Sequence, residues 1–175
     1  MDGLEGVKVL ELGHIASAAY ATKIMADLGA DVVKVEEPTG DKARTFGPFP
    51  DDLSDPEKSG LFLYLNTNKR GMTIDLEHTP DELAELVRWA DIIVQNYLPK
   101  EMERFGIDYE RFRNLNPRVV LCSITPFGLT GPYKHYNAYD ITVANAGRWA
   151  WLSPRASDIP DLPPQKPYGH QTENQ

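Results

Sequence analysis

One stretch near the start of the chain constrains the fold most: VKVLELGHIASAAYATKIMADLGADVVKVEEP, residues 7–38. An apolar run at 7–12 is followed by a turn, by apolar residues at helical spacing, and by a second apolar run at 32–35. Strand, helix and strand in close succession form a βαβ unit, and such units build parallel sheets. The sequence therefore predicts an α/β fold with a parallel sheet and flanking helices.

The turn after the first predicted strand is the first place to expect a ligand, because open α/β sheets bind ligands at the carboxyl edge of their strands. This turn contains Gly13, His14, Ile15, Ala16, Ser17 and Ala18. The dinucleotide fingerprint G-x-G-x-x-G needs three glycines, and only Gly13 is present here. The sequence therefore argues against an NAD site, even though Glu36 stands where a ribose-binding acid would lie.

Composition excludes several classes of protein. The chain has 175 residues, with 26 acidic against 18 basic residues and a net charge of −8, which is the opposite of a typical nucleic-acid-binding domain. Its apolar runs are too short to span a bilayer, and the opening MDGLEG lacks the basic region of a secretory signal. The single cysteine, Cys122, cannot form an internal disulfide. These features predict a cytoplasmic protein that binds neither nucleic acid nor membrane.

Further strands are predicted at 72–76, 91–95 and 118–124. The last is the most apolar run left, so we expect it to be a central strand with Cys122 buried in it. The long segment 36–60 is rich in proline, glycine and aspartate, which indicates a functional or mobile loop.

The end of the chain predicts a boundary. A helix is expected over 140–151, and five prolines between 154 and 167 then require an extended connection. We therefore expect a ligand-binding domain at 1–152 and a proline-rich connection at 153–175 that leads into a helix. Because Thr172 has the character of a helix cap, we expect the chain to be a fragment of a longer protein.

Four stretches in this order resemble the class III CoA-transferases, a family that includes formyl-CoA transferase, carnitine CoA-transferase and the methylacyl-CoA racemases. They are the opening βαβ stretch, GDKAR at 40–44, NTNKRGMTIDL at 66–76, and the block that begins ADIIVQNYLPKEMERFG at 90–106. The resemblance covers essentially the whole chain. It implies a Rossmann-like CoA-binding domain, acyl-CoA and a carboxylic acid as substrates, and a homodimer of longer chains interlocked like links.

Binding CoA requires partners for a diphosphate and a ribose phosphate. Arginine pairs with phosphate oxygens bidentately, and lysine pairs with them as a point charge. The candidates in predicted loops or short turns are Arg44, Lys69, Arg70 and Arg104. The alternative is that these side chains are only solvated surface charges.

The resemblance adds contacts from two turns. In the family the first turn lies along CoA, which implies contacts from His14, Ile15, Ala16 and Ser17. Asn96 and Tyr97 resemble an Asn-Phe pair that flanks the nucleotide, where an aromatic ring can stack on adenine and the amide can donate hydrogen bonds. The alternatives are a turn histidine with a satisfied backbone hydrogen bond and an asparagine that caps a strand end.

Moving CoA between carboxylates requires a carboxylate nucleophile, which attacks the thioester to form a mixed anhydride and then an enzyme–CoA thioester. In the family this residue is an aspartate that precedes a helix after the proline-rich connection, and the resemblance places Glu173 there. The alternative is an acid that merely favours a helix N-terminus. No metal site is predicted, because His170 and Glu173 alone do not make one.

Two other functions remain open. The racemases of the family carry His-Asp where this chain has Tyr139-Asp140, so racemisation lacks its histidine base and transfer is favoured. The third possibility is a non-catalytic CoA-binding remnant.

Overall fold

The computed structural model describes residues 3–148 and 150. Within them, five strands form one sheet: β1 (Lys8–Leu12), β2 (Asp31–Glu36), β3 (Arg70–Thr73), β4 (Ile92–Gln95) and β5 (Val120–Ser123). All neighbouring strands pair in parallel. The helices are α1 (Ser17–Asp27), α2 (Gly60–Leu65), α3 (Pro80–Trp89), α4 (Pro99–Phe105), α5 (Tyr109–Leu115) and α6 (Asp140–Ala146). The predicted α/β fold with a Rossmann-like parallel sheet is confirmed.

The strand order determines where a ligand can enter. The order is β3-β2-β1-β4-β5, so the chain leaves β1 in one direction and returns to its other side at β4. Leu12 at the end of β1 is paired with Gln95 at the end of β4. The turns that follow these two strands therefore lie side by side at the carboxyl edge, at the switch point where doubly wound sheets bind ligands.

The sheet is covered on both faces, because successive residues of a strand point to opposite sides. Leu10 and Leu12 belong to a cluster that includes residues of α3, α4 and α5. Val9 and Val32 belong to a second cluster with alanines of α1. By the same alternation, Glu11 and Lys34 lie on the α1 face, where both are almost completely buried. Two charged residues inside a sheet need partners, and these partners organise the site described below.

Two predictions about β5 are wrong. We expected a central strand, but among the described residues β5 pairs only with β4 and forms an edge of the sheet. Val120 is 57% exposed, and Cys122 is exposed rather than buried. The apolar composition of this run predicted burial, but its position in the sheet leaves one side uncovered by the described part of the chain.

Three element boundaries differ from the predictions. Strand β3 begins at Arg70, two residues before the predicted start. The predicted loop 36–60 contains three short 3-10 helices, at Lys42–Thr45, Pro50–Asp52 and Pro56–Lys58. Helix α6 ends at Ala146, well before residue 151. The predicted proline-rich connection at 153–175 lies outside the described residues. None of the described helices is long and apolar enough to cross a membrane.

Candidate functional site

Asn96 joins the turns that follow β1 and β4. Its Oδ1 accepts a hydrogen bond from the His14 N–H (3.0 Å), and its Nδ2 donates to the His14 carbonyl (2.7 Å) and to Ser17 Oγ (2.9 Å). The side-chain amide thus satisfies both backbone groups of His14. Asn96 acts as a clamp on the β1 turn rather than as a strand cap.

Gly13 is required by this clamp. A Cβ built on Gly13 would collide with the side-chain amide of Asn96, and the backbone φ of +157° adds a conformation that few other residues adopt readily. We expect Gly13→Ala to displace Asn96, break its hydrogen bonds to His14 and lower the melting temperature. Gly71→Ala is the matched control, since a Cβ there meets nothing within 4 Å. Equal melting temperatures for the two variants would contradict the clamp.

Ile15 adopts an unusual backbone conformation at the centre of the turn. Its φ is +61°, a left-handed conformation that is unfavourable for a β-branched side chain. Its N–H donates to Asp41 Oδ1 at 2.9 Å. Strained residues of this kind persist only where the surroundings hold them, and they concentrate at functional sites.

His14 faces the 3-10 helix that begins at Lys42. Its Nε2 lies 3.3 Å from Lys42 Nζ, and its ring meets the Tyr97 ring edge-on with centroids 5.5 Å apart. Burial lowers the pKa of His14, and the Lys42 ammonium lowers it further. Both effects favour the neutral imidazole, whose Nε2 can accept a hydrogen bond from the Lys42 ammonium in the tautomer that carries its proton on Nδ1.

Tyr97 is only 3% exposed, since its ring packs against both His14 and Phe105. Its backbone N–H donates to the buried Gln95 side chain at 2.6 Å. Burial raises the pKa of the Tyr97 phenol well above its usual value, so the hydroxyl stays protonated. Stacking of this ring on adenine, as predicted, requires the ring to turn outward from this packing.

Two neighbouring cavities lie at this edge of the sheet, and both are bordered by His14, Lys42 and Glu101. The larger cavity, of about 330 Å³, has an apolar wall made of Ile15, Leu98, Ile124, Pro126 and Val143. The smaller cavity, of about 190 Å³, is polar and is lined by acidic residues together with Lys42 and Arg104. One elongated ligand with an apolar and a polar part could occupy both.

A buried chain of alternating charges supports this edge from beneath. Lys34 Nζ lies 2.7 Å from Glu11 Oε1 and 2.6 Å from Asp41 Oδ2. The other oxygen of Glu11 accepts from Lys69 Nζ (2.8 Å) and from Thr22 Oγ1 (2.6 Å). The order Lys69–Glu11–Lys34–Asp41 therefore carries two positive and two negative charges with no net charge.

The pKa shifts follow from this pairing. Burial alone would raise the pKa of Glu11, but the ammonium groups of Lys34 and Lys69 outweigh it and the pKa lies below its usual value. Burial would likewise lower the pKa of Lys34, but Glu11 and Asp41 outweigh it and the pKa is raised. For Lys69, burial prevails over the attraction of Glu11 and lowers the pKa to about 8.

The four predicted phosphate-binding cations occupy different environments. Arg44 pairs bidentately with Glu36 at 2.7 and 2.9 Å and lies over the Phe62 ring. Lys69 is buried, and besides Glu11 it donates to the Ala19 carbonyl and to Asn66 Oδ1. Both side chains hold loops together in the described structure.

Arg70 and Arg104 lie at opposite ends of the sheet. Arg70 begins β3, at the amino edge, and pairs with Asp31 at 2.7 and 2.9 Å. Arg104 lines the smaller cavity, with its side chain 52% exposed, 3.7 Å from Glu77 and over the Phe105 ring. The structure thus brings Arg104 together with His14, Ile15, Ser17, Asn96 and Tyr97, and it places Arg70 elsewhere. Ala16 is buried beneath the turn, and Glu173 lies outside the described residues.

Sequence reasoning missed four residues of the site: Glu11, Lys34, Asp41 and Lys42. The signal for the first two was present, because a charged residue inside an apolar strand of a parallel sheet is rarely buried without a partner. Asp41 and Lys42 lie within the GDKAR stretch, in which only Arg44 was predicted to bind phosphate. Among the described residues, no three His, Cys, Asp or Glu side chains form a group that could hold a metal ion.

The fold and this edge define an α/β protein with a candidate ligand site, formed by two cavities, at the switch point of its parallel sheet. A family model described as CoA-transferase family III matches residues 4–170. The chain therefore belongs to CoA-transferase family III, as its motifs predicted.

Relatives and solved structures agree. A succinate–glutarate CoA-transferase from Agrobacterium fabrum is 41% identical over 146 residues, which make up 80% of this chain and 36% of the relative. A formyl-CoA:oxalate CoA-transferase from Streptomyces avermitilis is 42% identical, covering 82% of this chain and 34% of the relative. The crystal structure of a CAIB/BAIF family protein from Brucella suis matches 98% of this chain and 45% of that one, with 34% identity and a TM-score of 0.85. The chain thus spans about a third of the length of these curated relatives.

Proposed function

We propose that this chain forms the CoA-binding part of an acyl-CoA:carboxylate CoA-transferase. The observation that carries the proposal is the pair of neighbouring cavities at the switch point between β1 and β4, where Lys42 borders both cavities and Arg104 borders the smaller one. Family membership and the names of the relatives, which are CoA-transferases, support the same activity. The substrates would be an acyl-CoA and a carboxylic acid acceptor.

Each cavity suits a different part of CoA. The smaller, polar cavity offers Lys42 and Arg104 to phosphate oxygens and carboxylates to ribose or adenine donors. The larger cavity has the apolar wall that a pantetheine arm and a small acyl group require. Contacts would come from His14, Ile15, Ser17 and Asn96, whose positions at the cavity walls fit this role.

Helix α1 offers a second feature for an anion. Ala16 at its N-cap has no side chain that can accept a hydrogen bond, and its first turn contains no acidic residue. The start of a helix attracts negative charge through its exposed N–H groups and its dipole. A diphosphate at this edge would complement the helix in a way that no side chain of α1 does.

The chemistry would use Glu173 as the nucleophile. Its carboxylate attacks the thioester carbonyl and expels CoA as a thiolate, which leaves a mixed anhydride. The thiolate then attacks the glutamyl carbonyl, so that the donor acid departs and an enzyme–CoA thioester remains. The acceptor carboxylate attacks this thioester and forms a second anhydride, and the thiolate attacks the acceptor's carbonyl to give the new acyl-CoA and restore Glu173.

The whole protein would act as a cytoplasmic, interlocked homodimer. The interlocked homodimer is implied by the resemblance of the four motifs to the class III family, and the cytoplasmic location is inferred from the single cysteine. Racemisation, the alternative within the same family, is disfavoured by Tyr139. Tyr139 borders the larger cavity and stands at the sequence position where the racemases have the histidine that acts as their acid and base.

Measuring CoA affinity by calorimetry tests the site. We expect Arg104→Ala to weaken binding by about 1–2 kcal/mol, or five- to thirtyfold. This is the lower part of the range for charged hydrogen bonds, because the side chain is half exposed.

Arg70→Ala is the matched control, since it removes an equivalent charge at the amino edge and should change affinity by less than about twofold. An equal loss in both variants would move the site away from the switch point. Absence of CoA binding by the unmodified chain would overturn the proposal.

A further inference from the structure

Asp41 joins the two walls of the candidate site through one carboxylate. Its Oδ1 accepts from the Ile15 N–H at 2.9 Å and from the Ala43 N–H at 2.7 Å. The first bond reaches the turn after β1, and the second caps the 3-10 helix that carries Lys42. A single oxygen thus determines how the turn with His14 and the helix with Lys42 lie against each other.

The second oxygen of Asp41 is held from below. Lys34 Nζ lies 2.6 Å from Oδ2 and 2.7 Å from Glu11 Oε1, and all three side chains are nearly inaccessible to solvent. Lys34 also lies within 3.5 Å of the Gly13 carbonyl, so it contacts the turn directly. The carboxylate is therefore fixed between a buried cation and two backbone amides, and it cannot rotate without losing a partner.

Ile15 explains why such support is needed. Its left-handed backbone is unfavourable for a β-branched residue and must be offset by its surroundings. The Ile15 N–H points to Asp41, while its side chain forms part of the apolar wall of the larger cavity. Releasing this bond would let the turn relax and move the wall.

The geometry points to Asp41 as a positioning residue: held by Lys34, it keeps the strained Ile15 turn and the Lys42 helix in the arrangement that admits CoA. This inference rests on the proposed function for the identity of the ligand. Asp41 acts through Ile15 and Lys42 and has no assigned contact with the reacting atoms.

The chemistry of an amide provides a sharp test. The amide introduced by Asp41→Asn has one acceptor oxygen in place of two. That oxygen can accept either from the two backbone N–H groups or from Lys34, and the NH₂ group then faces the donors that have lost their acceptor. Asp41→Asn also leaves the buried chain with an excess positive charge. Lys34→Met in the same molecule removes the opposing donor and restores charge balance, since Glu11 and Lys69 then remain as a pair.

Amide hydrogen exchange measured by NMR reports on the turn without any ligand. We expect Asp41→Asn to speed exchange of the Ile15 N–H by about tenfold or more, because a hydrogen bond to a charged group is lost. The increase should exceed that of the Ile93 N–H in β4, which reports on global opening. In the double variant, Asp41→Asn with Lys34→Met, the rate should return to within about threefold of the original.

CoA affinity of the same three proteins completes the test. It should fall by about tenfold in Asp41→Asn and recover in the double variant, in parallel with Ile15 exchange. If Asp41→Asn does not fold, the charge-balanced double variant still decides, because unprotected Ile15 and weak CoA binding there would overturn the inference. So would an Asp41→Asn protein with unchanged exchange and affinity. If the original chain binds no CoA, the proposed function fails, while Ile15 exchange still shows whether Asp41 holds the turn.

Discussion

Glu11→Gln is expected to lower the free energy of unfolding by about 3–5 kcal/mol, because it leaves the Lys69 side chain without a carboxylate and Lys34 with Asp41 alone. In the native protein both oxygens of Glu11 are used, by Lys34 at 2.7 Å and by Lys69 at 2.8 Å. A glutamine can accept from only one of these ammonium groups, and it turns an NH₂ group toward the other. The loss would be a large share of the stability of a typical domain.

Urea unfolding followed by circular dichroism measures this loss. The matched control is Asp31→Asn, which breaks the Arg70 ion pair at the surface of the same sheet. Because both partners there are about half exposed, the control should cost no more than about 1 kcal/mol. Equal losses in the two variants would mean that the buried chain of charges does not contribute as the geometry indicates.

The position of the site could be predicted from the sequence with little more than strand order. The apolar runs that end at Leu12 and Gln95 both read as buried parallel strands, and the carboxyl ends of such strands share one edge. This is why the turns at His14 and Asn96 are adjacent as expected. The roles of the side chains were harder to predict, because Asn96 turned out to bond to the backbone of His14.

The predicted phosphate-binding cations show that a sequence pattern does not reveal which acceptor a basic side chain pairs with. Arg70 is the first residue of β3, so it lies at the amino edge of the sheet, away from the candidate site at the carboxyl edge. The motif suggested that Arg70 belongs to the site. In the structure its side chain pairs instead with Asp31, which lies 39 positions earlier in the chain. For Lys69, no local pattern indicates that Glu11 is its acceptor, since 58 positions separate them.

Burial on the sheet edges could not be predicted for a similar reason. The run that contains β5 is as apolar as a central strand, and composition cannot say which strands have two neighbours. Among the described residues β5 has one neighbouring strand, and Val120 is exposed. Likewise, the apolar neighbours of Glu11 and Lys34 within their strands indicate that both residues are buried. Which residue each one pairs with depends on the register of β1 with β2.

The largest expected effect on activity concerns Glu173. Exchange of CoA between two carboxylates proceeds through an anhydride and an enzyme thioester, so an enzyme carboxylate must relay the acyl and CoA groups. Glu173→Gln keeps the shape of the side chain and removes the nucleophilic charge. We expect turnover to fall by about three orders of magnitude or more, with CoA affinity unchanged, because the site at β1 and β4 remains intact.

Trapping with hydroxylamine identifies the residue directly. Incubation of the intact enzyme with an acyl-CoA should leave an activated carboxyl group that hydroxylamine converts to a hydroxamate. On the proposed mechanism, peptide mass spectrometry should locate the hydroxamate at Glu173 and find none in Glu173→Gln. Asp140→Asn is the control, because Asp140 is the acid at the start of α6 where the racemases carry their His-Asp pair. That variant should still form the hydroxamate at Glu173. A hydroxamate at another acid, or full turnover by Glu173→Gln, would assign the nucleophile elsewhere and leave Glu173 only the role of an acid that favours a helix N-terminus.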